Sequence, residues 1–294
     1  MSTSPTFTLP QRRLTWLVTG CSSGFGLSLV RIAQANGHMV IATSRNPSKT
    51  PDLVAEVEAK GGKWVQLDVD SLTSFRLIEE LDQSGYHIDI LVNNAGFCTF
   101  SPIETSKEED ARGQMESMYF GPLRLIRSVL PPMRSRGYGV IVNFSSGAAL
   151  DGNPSMGLYA GAKAGLDAAT KVLAKEVLAF NIRCLTVVLG TFNTSFGDNA
   201  VFNSQVPDAY KGSFADKMMA AISGGAFTPN GDKDKAMQAV YDVVVGTGPG
   251  AGLEAETFLP LGVDMTTRIR SVKAQLDHAL EVFGTITDGV RRDS

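Results

Sequence analysis

Short apolar runs alternate with longer amphipathic segments along this chain, and that alternation constrains the fold more than any other feature. Residues 14–19 (LTWLVT), 38–43 (HMVIAT), 64–67, 88–92 (IDILV), 140–144 (VIVNF) and 182–189 (IRCLTVVL) read as strands. The segments between them, 24–35, 51–60, 71–83, roughly 104–136 and 154–180, read as helices, with Pro122 expected to bend the fourth. Strands that are apolar without alternation are buried on both faces. Separated by helices, they predict an α/β fold: a doubly wound parallel sheet with helices on both sides. Further on, residues 232–245 predict a helix, 246–252 (GTGPGAG) a loop, 257–259 a short strand and 264–283 a last helix. No repeat or linker interrupts the 294 residues, so one domain is expected, with a flexible start at 1–12 and a loop or lid region at about 191–231.

Bulk properties exclude several classes of function. The net charge of -3, with no run of Lys or Arg, gives no electrostatic reason to expect nucleic acid or an acidic membrane as partner. No apolar stretch reaches membrane-span length, and residues 1–10 lack the apolar core of a signal peptide. Cys21, Cys98 and Cys184 are widely separated, as are His38, His87 and His278. No metal site is expected, and a reducing, cytoplasmic setting is.

The segment Thr19-Gly20-Cys21-Ser22-Ser23-Gly24-Phe25-Gly26 lies between the first strand and the first helix. Glycines there allow a tight turn and close approach of backbone to a pyrophosphate, while the helix N-terminus offers unpaired N–H groups to the phosphates. The plainer reading is a glycine-rich turn; its strand–loop–helix placement favours a dinucleotide site of Rossmann type. The second strand ends at Thr43-Ser44-Arg45. An acidic residue at that place accepts from the ribose hydroxyls of NAD. Ser44 and Arg45 instead suit the ribose phosphate of NADP(H), the competing reading being an ordinary surface arginine.

Tyr159 and Lys163 are four residues apart in the long fifth helical segment, which puts both on one face, roughly 6 Å apart along the axis. A hydride-transfer enzyme needs an acid or base at the carbonyl or carbinol oxygen, and an ammonium beside a phenol favours its ionised form. Ser145 and Ser146 end the preceding strand.

Together these features resemble the short-chain dehydrogenase/reductase family, across essentially the whole chain. The resemblance rests on Thr-Gly-x-x-x-Gly-x-Gly at 19–26, Leu67-Asp68-Val69, Asn93-Asn94-Ala95-Gly96, Ser146, the Tyr159/Lys163 pair and Gly190 to Thr194. It implies that Gly20, Ser22, Ser23, Gly24, Phe25, Gly26, Ser44, Arg45, Asp68, Val69, Asn94, Ala95, Gly96, Tyr159, Lys163, Gly190, Thr191, Phe192 and Thr194 contact the cofactor. Asp68 would hold the adenine amino group, although a turn or cap role competes. Asn93 is expected to tie strands together. The family's serine lies thirteen residues before its tyrosine, which gives Ser146, with Ser145 standing in if the loop length differs. Ser146 would position the substrate oxygen, Tyr159 act as acid/base, and Lys163 lower the tyrosine pKa. Leu259-Pro260-Leu261-Gly262 matches longer members that resemble 17β-hydroxysteroid dehydrogenases. A homodimer or homotetramer is also implied.

Two positions depart from the family pattern. Leu189 stands where a proline is usual, and Met118 where an asparagine supports a proton-relaying water. A thioether cannot donate a hydrogen bond. Met118 therefore leaves two readings: carbonyl/alcohol chemistry with an altered relay, or a redox-neutral isomerisation, cyclisation or dehydration. Residues 97–100, 148–158 and 192–227 are expected to meet the substrate. Their aromatic and aliphatic side chains, with no evident anion clamp, suggest a lipophilic ketone of polyketide, terpenoid or steroid type, as in secondary metabolism, unless these phenylalanines are simply core.

Overall fold

The computed structural model describes residues 7–192, 194, 200–202, 206–224 and 229–292. Seven strands form one parallel sheet: β1 (Thr15–Val18), β2 (Met39–Ser44), β3 (Lys63–Gln66), β4 (Ile90–Asn93), β5 (Gly139–Ser146), β6 (Ile182–Leu189) and β7 (Phe258–Leu261). Their spatial order is β3-β2-β1-β4-β5-β6-β7. The order reverses between β1 and β4, and the crevice at such a reversal is where ligands bind in open α/β sheets.

The helices are α1 (Gly24–Ala35), α2 (Pro51–Ala59), α3 (Arg76–Gln83), α4 (Glu108–Met115), α5 (Gly121–Arg136), α6 (Ala148–Asp151), α7 (Gly157–Val177), α8 (Phe214–Ser223), α9 (Lys233–Val245) and α10 (Met265–Gly289). Because side chains alternate along a strand, each strand feeds two cores. Ile41, Leu17, Leu91, Ile141 and Cys184 are register partners from β2 to β6. They bury one row against Ile78 of α3 and Leu125 and Val129 of α5. Their neighbours Val18, Ala42, Val92, Val142 and Leu185 bury the opposite row against Leu29 and Val30 of α1 and Met237 and Val240 of α9. A fully buried side chain of this size contributes about 1.5–3 kcal/mol, so the two rows hold the strand ends rigidly beneath the crevice.

Several boundaries differ from the sequence reading for identifiable reasons. The helix expected from 71 starts at Arg76, because Ser71 and Thr73 make a hydroxyl-bonded turn ahead of it. The break in 104–136 is a π-helical turn at Glu116–Phe120, not a bend at Pro122; that proline sits in the first turn of α5, where its missing N–H costs little. Buried Arg124 of α5 donates to the Val69 and Asp70 carbonyl oxygens and pairs with Glu116, so the π-turn is pinned to the loop after β3. Helix α8 was not anticipated, although Ser213 caps it by accepting from the Asp216 N–H. The last helix runs six residues beyond its expected end.

Candidate active site

The crevice above β1, β4 and β5 opens into a cleft of about 1270 Å³. At one end lies the glycine loop. Gly20 has φ +71°, and a Cβ there would lie 2.8 Å from the Ala95 Cα; a Cβ on Gly26 would lie 2.5 Å from the Gly20 oxygen. Only glycine permits this packing of loop, helix and β4 end. Thr19 Oγ1 accepts from the N–H groups of Asn94 and Ala95, and Asn94 Nδ2 donates to the Thr19 and Gly20 carbonyl oxygens. Helix α1 starts with no side-chain cap, which leaves its first N–H groups directed at an incoming anion. This cradle fits a dinucleotide pyrophosphate.

Ser44 and Arg45 line the same end of the cleft. Ser44 Oγ accepts from the Trp64 indole, which fixes the end of β2. The Arg45 side chain is exposed, with no carboxylate partner among the described residues. Asp68 is exposed, and its carboxylate accepts from the Asp70 N–H in a turn, between Leu67 and Val69 of the cleft wall. Val69 does line the cleft. Gly24, Gly26 and Gly190 support the lining without reaching it, whereas Ser22, Ser23, Phe25, Asn94, Ala95, Gly96, Thr191, Phe192 and Thr194 reach it. Asn143 accepts from Asn93 at 2.7 Å and donates to Thr170, tying β4, β5 and α7.

At the centre, β5 and α7 bring Ser146, Tyr159 and Lys163 to one wall. The Ser146 hydroxyl is hydrogen-bonded to Tyr159. Lys163 Nζ donates to the Phe144 carbonyl oxygen at 2.6 Å and lies 5.9 Å from the Tyr159 ring centre. Ser145 has a different job: its hydroxyl donates to buried Asp167 at 2.7 Å. The alternation of β5 thus separates the two serines, one toward the cleft and one into the helix packing.

The electrostatics correct one expectation. The Tyr159 phenol is pushed up, not down, chiefly because it is buried; the Ser146 hydrogen bond only partly opposes this. The Lys163 ammonium, aimed at a carbonyl, does not offset that burial. Burial also lowers Lys163 to about 8, while Asp167, one turn further along α7, pulls it back up. Asp167 is itself raised by burial.

The sequence reading did not single out Asp167, Arg268 or Asp264, nor the pairing of Arg268 with Asp151. Asp167 continues the four-residue spacing of Tyr159 and Lys163, a signal that was present. Arg268 and Asp151 were not legible, because 117 positions separate them: Arg268 Nε and Nη2 each donate to the Asp151 carboxylate at 2.6 Å, at the cleft wall. Asp264 accepts from the Thr191 N–H and from Arg268, joining α10 to the end of β6.

The far end of the cleft is apolar. Phe97, Phe100, Met156, Phe202, Met218 and Ile222 line it, and Phe100 stacks on Phe202 at 5.4 Å. Phe214 points away and is exposed, while Phe196 and Phe227 lie outside the described residues. Met118 is buried with Cys98, Phe100, Tyr159 and Met219, and its methyl packs onto Gly96.

The short chain dehydrogenase family profile matches residues 15–203. Over 213 residues the chain is 36% identical to the oxidoreductase claN of Passalora fulva, covering 72% of this chain and 97% of that protein. It is 35% identical over 184 residues to a 3-ketodihydrosphingosine reductase of Bacteroides thetaiotaomicron, covering 62% and 65% respectively. A short-chain dehydrogenase structure from Streptomyces avermitilis superposes with a TM-score of 0.86 at 30% identity, covering 96% of this chain and all of that one. The chain belongs to the short-chain dehydrogenase/reductase family and is an oxidoreductase acting on a carbonyl/alcohol pair. Among the described residues, no helix is long and apolar enough to cross a membrane.

Proposed function

We propose that this protein is an NADP(H)-dependent reductase of a lipophilic ketone, with Ser146, Tyr159 and Lys163 as its catalytic residues. The observation that carries the reading is the hydrogen-bonded Ser146–Tyr159 pair on the wall of a cleft that has the glycine cradle at one end and apolar side chains at the other. The nicotinamide cofactor, when bound, supplies the hydride that the carbonyl carbon accepts. Gly20, Ser22, Ser23 and the α1 N-terminus would hold its pyrophosphate. Arg45 supports the choice of NADP(H), because an exposed guanidinium without a carboxylate partner pairs readily with a ribose phosphate.

The two hydroxyls then orient the substrate oxygen. Ser146 donates to it, Tyr159 donates to it, and the Tyr159 proton passes to that oxygen as the alkoxide forms. A phenol raised by burial stays protonated at neutral pH, the state in which it can act as an acid. Lys163 stabilises the phenolate left behind. With its pKa near 8 it also exchanges protons readily around neutrality. The buried thioether of Met118 is accounted for by packing on Gly96, so it does not favour the redox-neutral alternative. The size and apolar lining of the far end favour a bulky lipophilic ketone.

The test is NADPH oxidation by the purified protein with a panel of lipophilic and small polar ketones. Turnover is expected with the lipophilic set, and Tyr159→Phe is expected to lower kcat by about 10²–10⁴-fold while NADPH still binds. Equal turnover by the phenylalanine variant would overturn the assignment of Tyr159.

A further inference from the structure

Helix α10 meets the cleft at its start. Met265 is buried, and Arg268, one turn on, reaches over the turn that follows Ser146. Gly147 in that turn has an ordinary right-handed backbone, with φ -54°, which any residue adopts. What excludes a side chain there is Arg268: a Cβ on Gly147 would lie 2.6 Å from its Nη1 and 2.8 Å from its Nε. The guanidinium thus rests against the backbone next to Ser146. One turn later it closes on Asp151, Nε and Nη2 each donating to one carboxylate oxygen at 2.6 Å. Between these two contacts lies α6, a helix of a single turn, too short to be stable by itself. Its first N–H groups are tied to the catalytic wall: Gly147 donates to the Leu189 carbonyl oxygen and Ala148 to Ser146 Oγ. On its other edge, Arg268 Nη1 donates to Asp264, whose carboxylate accepts from the N–H and the hydroxyl of Thr191. One guanidinium therefore joins the turn that carries Ser146 to the loop that follows β6.

We propose that Arg268 is a positioning residue: it fixes the Ser146 hydroxyl relative to the loop at Thr191, and so aligns the substrate oxygen with the cofactor. The inference rests on the proposed roles of Ser146 at the substrate oxygen and of Thr191 at the cofactor. Two carboxylates neutralise the guanidinium, so the clamp works through geometry and not through charge. A lysine keeps the charge but has no planar fork, and cannot close on both oxygens of Asp151 while lying flat against Gly147.

Steady-state kinetics and melting curves of the full chain test this, with NADPH and the ketone of the panel that is turned over fastest. Arg268→Lys is expected to lower kcat by about 10-fold, with ketone KM and NADPH affinity held within about 3-fold. Gly147→Ala, which pushes the guanidinium aside, is expected to give a similar loss, and no further loss in protein that already carries Arg268→Ala. In a Ser146→Ala background, Arg268→Lys is expected to add less than about 2-fold, because the hydroxyl it positions is gone. Exposed Arg270→Ala, on the same helix, is expected to keep the wild-type kcat. Should Arg268→Lys not fold, Asp151→Asn carries the same expectations. A lowered melting temperature with wild-type kcat in the folded variants means that Arg268 only docks α10, and overturns the proposal. So does an undiminished loss in the Ser146→Ala background. Wild-type kcat in Ser146→Ala alone overturns the role of Ser146, and this inference with it.

Discussion

The two ends of the cleft are built in different ways. At the glycine-loop end, the contacts run between strand ends that lie side by side in the sheet: Thr19 to Asn94 and Ala95, Asn93 to Asn143, Trp64 to Ser44. At the apolar end, the wall is assembled from pieces that return from far along the chain. Residues 98–100 bond to Val201, Ser101 bridges to Met156, and Met219 of α8 packs with Cys98 and Phe100. A sheet edge is a rigid base for the cofactor end, because register and two buried rows hold it. The apolar end depends on a few contacts between loops that are distant in sequence.

That contrast can be tested from the centre outward. The two serines give the largest difference. Ser146→Ala is expected to lower kcat by about 10²-fold, because a donor to the substrate oxygen is lost. Ser145→Ala is expected to leave kcat within a few-fold and to lower stability by about 1 kcal/mol, because only the bond to Asp167 goes. Steady-state kinetics and urea melts of the two variants separate the roles, and a reversed pattern would place Ser145 in the site. Next comes Arg45→Ala, expected to weaken NADPH binding by about 10–100-fold with little change for NADH, as measured by fluorescence titration. Equal losses for the two cofactors would argue against a ribose-phosphate contact.

At the apolar end the effect is smaller. Phe202 is partly exposed and stacks on Phe100, so Phe202→Ala is expected to raise KM for bulky ketones by about 10-fold and leave small ketones and NADPH binding alone. The smallest expected effect is a displaced pH profile. Lys163 sits near 8, so its ammonium is present below that value and is lost as pH rises through it; reductase kcat/KM is expected to fall across the same range. Asp167 raises Lys163, and Asp167→Asn is therefore expected to move that fall to lower pH while Ser145 keeps an acceptor. An unmoved alkaline limb in this variant would remove Asp167 from the chemistry.

The order of strands and helices, the doubly wound sheet and the shared face of Tyr159 and Lys163 were legible in the sequence, whereas Ser146 came from the family resemblance. Each depends on local information: runs of apolar residues, a glycine loop between a strand and a helix, a spacing of four. What local pattern could not decide was direction and partnership. Ser145 and Ser146 are chemically alike, and only the pleat of β5 beside α7 sends one to Asp167 and the other to the cleft. Asp68 reads as an adenine contact or a turn acid from sequence alone, and the packing of Arg124 and Ser117 sets the loop it occupies. The Arg268–Asp151 pair joins residues 117 positions apart. The rise of Tyr159 is likewise a tertiary result, since burial comes from every element that closes around the phenol and outweighs the favourable group spaced four residues away.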